Sequence, residues 1–182
     1  YVLHDLGQPL HAFDADKLVG NVVVKTCKES TKFKTLDGVE RILHTEDLMI
    51  CDDEEAHCIA GIFGGEKSGV NNNTNNVFLE SAYFDPVSIR KTSKRHGLNT
   101  DASFRFERGI DPEIGITALK RAAILICELS GGIVTSEIQK FSQSLNKKSK
   151  FFLPYEIIQK TIGHSIDEKD VNTILKSLDI KI

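Results

Sequence analysis

Lys32-Phe33-Lys34-Thr35-Leu36-Asp37-Gly38-Val39-Glu40-Arg41-Ile42-Leu43 is the stretch that decides the fold class. Two short runs with apolar and β-branched residues flank Asp37-Gly38, the dipeptide that favours a two-residue type I′ turn because both turn positions need positive φ. A β-hairpin is therefore predicted here. Upstream, Val22–Cys27 reads as another strand, while Tyr1–Lys17 shows no clean period and carries the turn signal Gly7-Gln8-Pro9; a loop with short elements is expected. Downstream, Leu48–Cys51, His57–Ile62 and Val77–Ser81 read as short strands. The acidic turn Asp52–Glu55 and the Gly- and Asn-rich run Gly64–Asn76 separate them.

The pattern changes at Asp85-Pro86. Asp can cap a helix, and Pro fits the first helical position because its missing N–H would have had no partner there. A helix is predicted from Pro86 to about His96, stopped by Gly97. Asp111-Pro112 repeats the start signal; Leu119, Ala122, Ala123, Ile126 and Leu129 then recur at helical spacing until Gly131-Gly132. Asp101–Arg108 can form a shorter helix between them, and Ile133–Phe141 reads as a returning strand. The fold class is α+β: a β-rich, sandwich-like domain over residues 1–145 with flanking helices. After the lysine-rich polar run Ser142–Lys150 the pattern restarts, with helices expected over Pro154–Ile162 and Asp167–Leu178. Residues 146–182 are too few for a core of their own and read as the start of a small helical module.

Composition narrows the class without naming a function. With 40% hydrophobic and 27% charged residues the chain has the make-up of a globular protein, which excludes disordered and collagenous classes. A formal charge of −3 gives no global attraction to nucleic acid or anionic membranes, so any RNA contact needs a local basic patch. Cys27, Cys51, Cys58 and Cys127 form no zinc-spaced cluster, although His57 adjoins Cys58, and read as reduced, mostly buried thiols. No metal site is expected. No apolar run approaches the roughly 18 residues of a membrane span and no signal peptide precedes Tyr1, so a cytoplasmic location is expected. Asn72-Asn73-Thr74 matches a glycosylation sequon that has no meaning without secretion.

Gly61-Ile62-Phe63-Gly64-Gly65-Glu66-Lys67-Ser68 nearly spells a phosphate-binding loop but places Glu66 where the glycine before the lysine is needed. The stretch reads instead as a turn in which backbone closely approaches another element, or as a glycine-lined pocket wall. Arg90, Lys91, Lys94 and Arg95, followed by Arg105 and Arg108, make either a solvated helix face or a phosphate track for RNA. Glu80 ends the apolar run Val77-Phe78-Leu79, and His11 follows Gly7-Gln8-Pro9-Leu10. Neither stands out unaided.

Taken together, YVLHDLGQPLHAFDADKL, KTLDGVER, IAGIFGGEKSGV, VFLESAYFDPVSIRKTSKRHGLNTDASFRFERGIDP and the helix after them resemble the beta subunit of bacterial phenylalanyl-tRNA synthetases. The likeness covers roughly residues 1–140; the remainder resembles the next module of that subunit, likened to DNA-binding domains. The resemblance implies a central editing domain of an α2β2 enzyme that uses ATP, magnesium, phenylalanine and tRNA(Phe). The synthetic site would belong to the alpha subunit, and this region would need no cofactor. It would hydrolyse tyrosyl-tRNA(Phe), because an apolar pocket shaped for phenylalanine cannot strongly reject a side chain that merely adds a hydroxyl. On this reading Glu80 accepts the tyrosine hydroxyl, Ala60 and Gly61 form the wall beside it, and Gly64 keeps the pocket open. His11 lines the hydrolytic end, and Thr100 and Ala102 take further pocket positions. Arg90, Lys91, Lys94 and Arg95 gain weight as a tRNA-facing surface. A Thr-Asn pair is expected immediately before Tyr1. The rival readings are a non-catalytic tRNA-docking or scaffold module and the related domain of tRNA-lysidine synthetases.

Overall fold

The computed structural model describes residues 1–141 and 150–182. Two compact units separate at Gln139/Lys140, while the expected boundary at 145/146 lies outside the described residues. The first unit is α+β. Its strands are β1 (His11–Asp14), β2 (Val23–Thr26), β3 (Lys32–Lys34), β4 (Glu40–Ile42), β5 (Leu48–Cys51), β6 (Ala56–Ile59), β7 (Phe63–Gly64) and β8 (Val77–Glu80). Its helices are α1 (Val2–Leu6), α2 (Pro86–His96), α3 (Asp101–Phe106) and α4 (Gly115–Ser130). The strands divide among three antiparallel sheets: β2-β5-β6-β7, the ribbon β1-β8 and the hairpin β3-β4.

The hairpin is present, but its turn is not type I′. Gly38 alone takes positive φ, at 77°, while Asp37 does not. Gly38 N donates to Thr35 O at 2.8 Å and Thr35 N donates to Val39 O at 3.1 Å, so Leu36–Gly38 form a three-residue loop. Asp37 makes that loop preferable: its carboxylate accepts from the Thr35 hydroxyl, from Val39 N at 3.2 Å and from the Arg41 guanidinium at 2.8 Å. A positive φ at Asp37 would cost energy and break this set.

The helix signals translate closely. Asp85 caps α2 by accepting from Ser88 N at 2.8 Å, Pro86 takes the first helical position, and Gly97 ends the helix at φ 63°. The last long helix begins at Gly115 rather than at Pro112, because Asp111 spends its carboxylate on a preceding turn at Glu113 N. Ile133–Phe141 is not a strand. Ile133, Val134 and Phe141 are exposed, and with no strand beside them among the described residues their backbone has no ladder to join.

Phe13, Leu43, Met49, Ile50 and Ile59 fill the main core. Ile89 of α2 and Phe106 of α3 close it, with the Phe84 ring edge-on to Phe106 at 5.1 Å. A smaller cluster holds α1 on α4 through Val2, Ala118 and Ala122. The second unit contains α5 (Tyr155–Ile162) and α6 (Glu168–Ser177). Asp167 caps α6, and the Tyr155 hydroxyl donates to Asn172 Oδ1 at 3.1 Å between the two helices.

Candidate functional site

The ribbon β1-β8 brings together two residues far apart in sequence. His11 and Glu80 are direct partners in the ladder, which runs on through Ala12/Leu79, Phe13/Phe78 and Asp14/Val77. Direct partners in an antiparallel pair share one face, with Cβ atoms about 5 Å apart. Gly64 of β7 lies against the same group: a Cβ there would sit 2.7 Å from His11 Cε1 and 2.9 Å from Leu36 Cδ1. The glycine is required by space, since its backbone angles would suit any residue.

Both polar side chains are uncommitted. Within the described residues no donor reaches the Glu80 carboxylate, and neither ring nitrogen of His11 is hydrogen-bonded. The His11 ring is held by packing alone, edge-on to Phe13 at 4.4 Å. Partial burial raises the Glu80 carboxyl to about 7, because desolvation disfavours the charge and no donor offsets it. Burial lowers the pKa of His11, which keeps the imidazole neutral and one nitrogen free to accept a proton. Cys58, the ladder partner of Gly64, has its thiol pushed well above the usual range by burial and then by the nearby Glu80 charge. The thiol is a filler beside the carboxylate, not a nucleophile.

The second group of expected residues assembles around the turn Ala60–Ile62. Gly61 has φ 67°, and a Cβ there would meet Phe84, Ile89 and Phe106 at 2.7–3.0 Å. Ala60 is buried in the same cluster, and Ala102 packs against it. Thr100 Oγ1 donates to Ile62 O at 2.9 Å and accepts from Ser103 N at 3.1 Å, closing a capping box on α3. Its single O–H is spent on Ile62 O, so the hydroxyl has no proton left to donate to a substrate. Thr100 is thus tied two residues from Gly64, which in turn touches His11. A cavity of about 480 Å³, lined by Lys25, Cys51, His57, Gly65 and Lys67 among others, contains none of these residues.

A family model described as the B3/4 domain matches residues 1–131. The chain belongs to the B3/4 domain family. Curated relatives of this B3/4 domain extend the match to the whole chain. The phenylalanine–tRNA ligase beta subunit of Bacteroides fragilis is 54% identical over 183 residues, all of this chain and 22% of the relative. Those of Porphyromonas gingivalis and Yersinia pestis are 51% and 42% identical, again over the full chain. The chain spans 22–23% of the length of these relatives.

The basic helix of the B3/4 domain splits into two kinds of residue. Arg90, Lys91 and Lys94 are exposed. Arg95 is not a free cation: it is ion-paired to Asp47 and, at 2.8 Å, to Glu46. Asp47 is fully buried between β4 and β5, accepts from His44 N at 2.9 Å and lies 2.6 Å from His96 Nε2. Burial alone would raise the Asp47 carboxyl, but the His44 and His96 hydrogen bonds outweigh it and leave the pKa lowered. Arg41 completes the junction by donating to His96 O at 3.0 Å. A run of basic residues in the sequence does not distinguish a cation facing water from one spent on a buried carboxylate. The roles of Cys58 and Asp47 carried no signal in the sequence either, because they depend on which strands become neighbours.

Proposed function

We propose that this domain is the proofreading site of a phenylalanine–tRNA ligase beta subunit and hydrolyses tyrosine wrongly esterified to tRNA(Phe). The observation that carries the reading is the pair His11/Glu80: two uncommitted polar side chains on one face of a ribbon, with a glycine keeping the space beside them open. Glu80 accepts the phenol hydroxyl of tyrosine. Phenylalanine would leave the carboxylate unpaired, and a hydrogen bond to a charged group contributes about 1.5–3 kcal/mol, one to two decades in affinity. Ala60 and Gly61 make the apolar wall beside the ring, and Thr100 and Ala102 hold that wall in place.

Neutral His11 orients a water molecule toward the ester carbonyl. Water oxygen bonds to the carbonyl carbon, the ester C–O bond breaks, and the ribose oxygen leaves with a proton as the tRNA hydroxyl. The amino acid departs as free tyrosine. No covalent enzyme intermediate is involved, and positioning supplies the catalysis. Arg90, Lys91 and Lys94 offer the tRNA strand a phosphate-facing surface, and Arg95 is withdrawn from it by Asp47. In the whole enzyme the partner is the alpha subunit in an α2β2 assembly in the cytoplasm, and ATP and magnesium serve ligation there. Residues 146–182 open the next, helical module.

The decisive experiment compares deacylation of Tyr-tRNA(Phe) by the complete enzyme and by its Glu80→Ala variant. Loss of hydrolysis with ligation of phenylalanine intact supports the reading; unchanged hydrolysis favours a docking module without chemistry.

A further inference from the structure

His11 and Glu80 occupy the last pair of the β1-β8 ladder, the position where a two-stranded ribbon frays most readily. The hydrogen-bond pattern of that ribbon identifies what closes it. Ala15 N donates to Asn76 O at 2.9 Å, while Asp14 N turns away to Ser68 O. Hydrogen-bonded pairs in an antiparallel ladder alternate, so 15/76, 13/78 and 11/80 are the bonded rungs. The next rung is 9/82, and it requires the N–H of residue 9. That residue is Pro9, which has none.

The missing donor is supplied from one residue earlier. Gln8 Nε2 donates to Ala82 O at 2.9 Å and to Pro9 O at 2.9 Å, so a single side-chain amide links both carbonyls of the absent rung. Gln8 is 1% exposed, which removes water as a competing partner. Gly7 at φ 73° ends α1 and delivers Gln8 to this place. The turn signal Gly7-Gln8-Pro9 thus has a second meaning, in which Pro stiffens the entry to β1 and Gln repairs the hydrogen bond that Pro removes.

We propose that Gln8 is a positioning residue of the site, its amide standing in for the N–H that Pro9 lacks and fixing the separation of His11 and Glu80. The inference rests on the proofreading reading given above. Misplacing a reacting group by about 1 Å can cost on the order of 100-fold in rate. Both amide protons of Gln8 are spent on Pro9 O and Ala82 O, so its effect passes through the ribbon.

The test uses the full-length beta subunit assembled with its alpha subunit. Gln8→Met keeps the volume and removes the donors. Tyr-tRNA(Phe) deacylation is expected to fall on the order of 10- to 100-fold in kcat, with a smaller change in KM, while phenylalanine ligation is unaltered. The Tyr/Phe preference in deacylation should fall with it, a change that a general loss of folding would not produce. The sharper arm is rescue: Gln8→Met combined with Pro9→Ala restores a backbone N–H at residue 9, which can donate to Ala82 O. Recovery to within about threefold of wild type supports the proposal. A double variant as impaired as the single one overturns it, including where the single variant assembles poorly. Wild-type deacylation by Gln8→Met beside an inactive Glu80→Ala overturns the role of Gln8 alone. Wild-type deacylation by Glu80→Ala removes the proofreading reading and this inference with it.

Discussion

Glu80 faces His11 across one rung of the β1-β8 ribbon, and neither side chain is hydrogen-bonded to any described part of the protein. A half-buried carboxyl at about 7 beside a neutral imidazole is costly to fold and leaves its acceptor oxygens open to an external donor.

The selectivity of deacylation should follow the charge on Glu80. Above about pH 7 the carboxylate is ionised and is the stronger acceptor for a phenol, so the Tyr/Phe ratio should rise through that pH. Glu80→Gln should flatten the profile and lower the upper limit by roughly one decade. Rates on Tyr- and Phe-tRNA(Phe) between pH 6 and 8.5 check this, with spontaneous ester hydrolysis largely cancelling in the ratio.

Stability should carry the opposite sign. The folded state raises the Glu80 pKa from about 4.3 in the unfolded chain to about 7, so it binds the proton more tightly between these values. Stability from this group is full below the unfolded value and falls as pH rises to about 7. Glu80→Gln should therefore unfold at higher denaturant than the parent at pH 8, with the gap closing at pH 4.

Gly64→Ala should impair hydrolysis with little change in stability. The new methyl would sit 2.7 Å from the His11 ring and 2.9 Å from Leu36. Leu36 is exposed and can swing away, so the displacement falls on His11, which only packing holds. A tenfold or greater loss in deacylation is expected, from the same sensitivity to misplacement. Thermal unfolding would show that the fold is retained.

Asp47→Ala should destabilise by about 3 kcal/mol or more, because it strands the Arg95 guanidinium and the His96 ring beside a hole. Arg95→Ala should leave the salt dependence of tRNA binding unaltered, whereas neutralising Arg90 and Lys94 should weaken binding and reduce that slope. Urea titration and filter-binding at several salt concentrations separate the two cases.

The sequence disclosed those elements whose determinants are local. Asp85-Pro86 and Gly97 mark both ends of α2 because capping and left-handed closure involve residues within one turn. β1 was hidden in a segment without period, since its identity as a strand depends on β8, whose partner residues lie far along the chain. The turn at Asp37-Gly38 had the right dipeptide and a different geometry, chosen by side-chain hydrogen bonds that Asp37 makes to Thr35 and Arg41. Ile133–Phe141 carried strand composition but meets no strand to pair with among the described residues. For the site, His11, Glu80 and Gly64 came from resemblance alone. No spacing rule announces that residues 11 and 80 will share a rung.

The two glycines of the proposed pocket leave a protein engineer unequal freedom. At Gly61 the space a methyl would need is already filled by Phe84, Ile89 and Phe106, and φ is 67°, so any enlargement there pushes on the interior that keeps the domain folded. At Gly64 an added methyl meets one imidazole and one surface leucine. Libraries aimed at admitting bulkier or differently substituted amino acids should vary the second position and keep the first fixed. Otherwise selection for a new substrate becomes selection for survivors of a damaged scaffold.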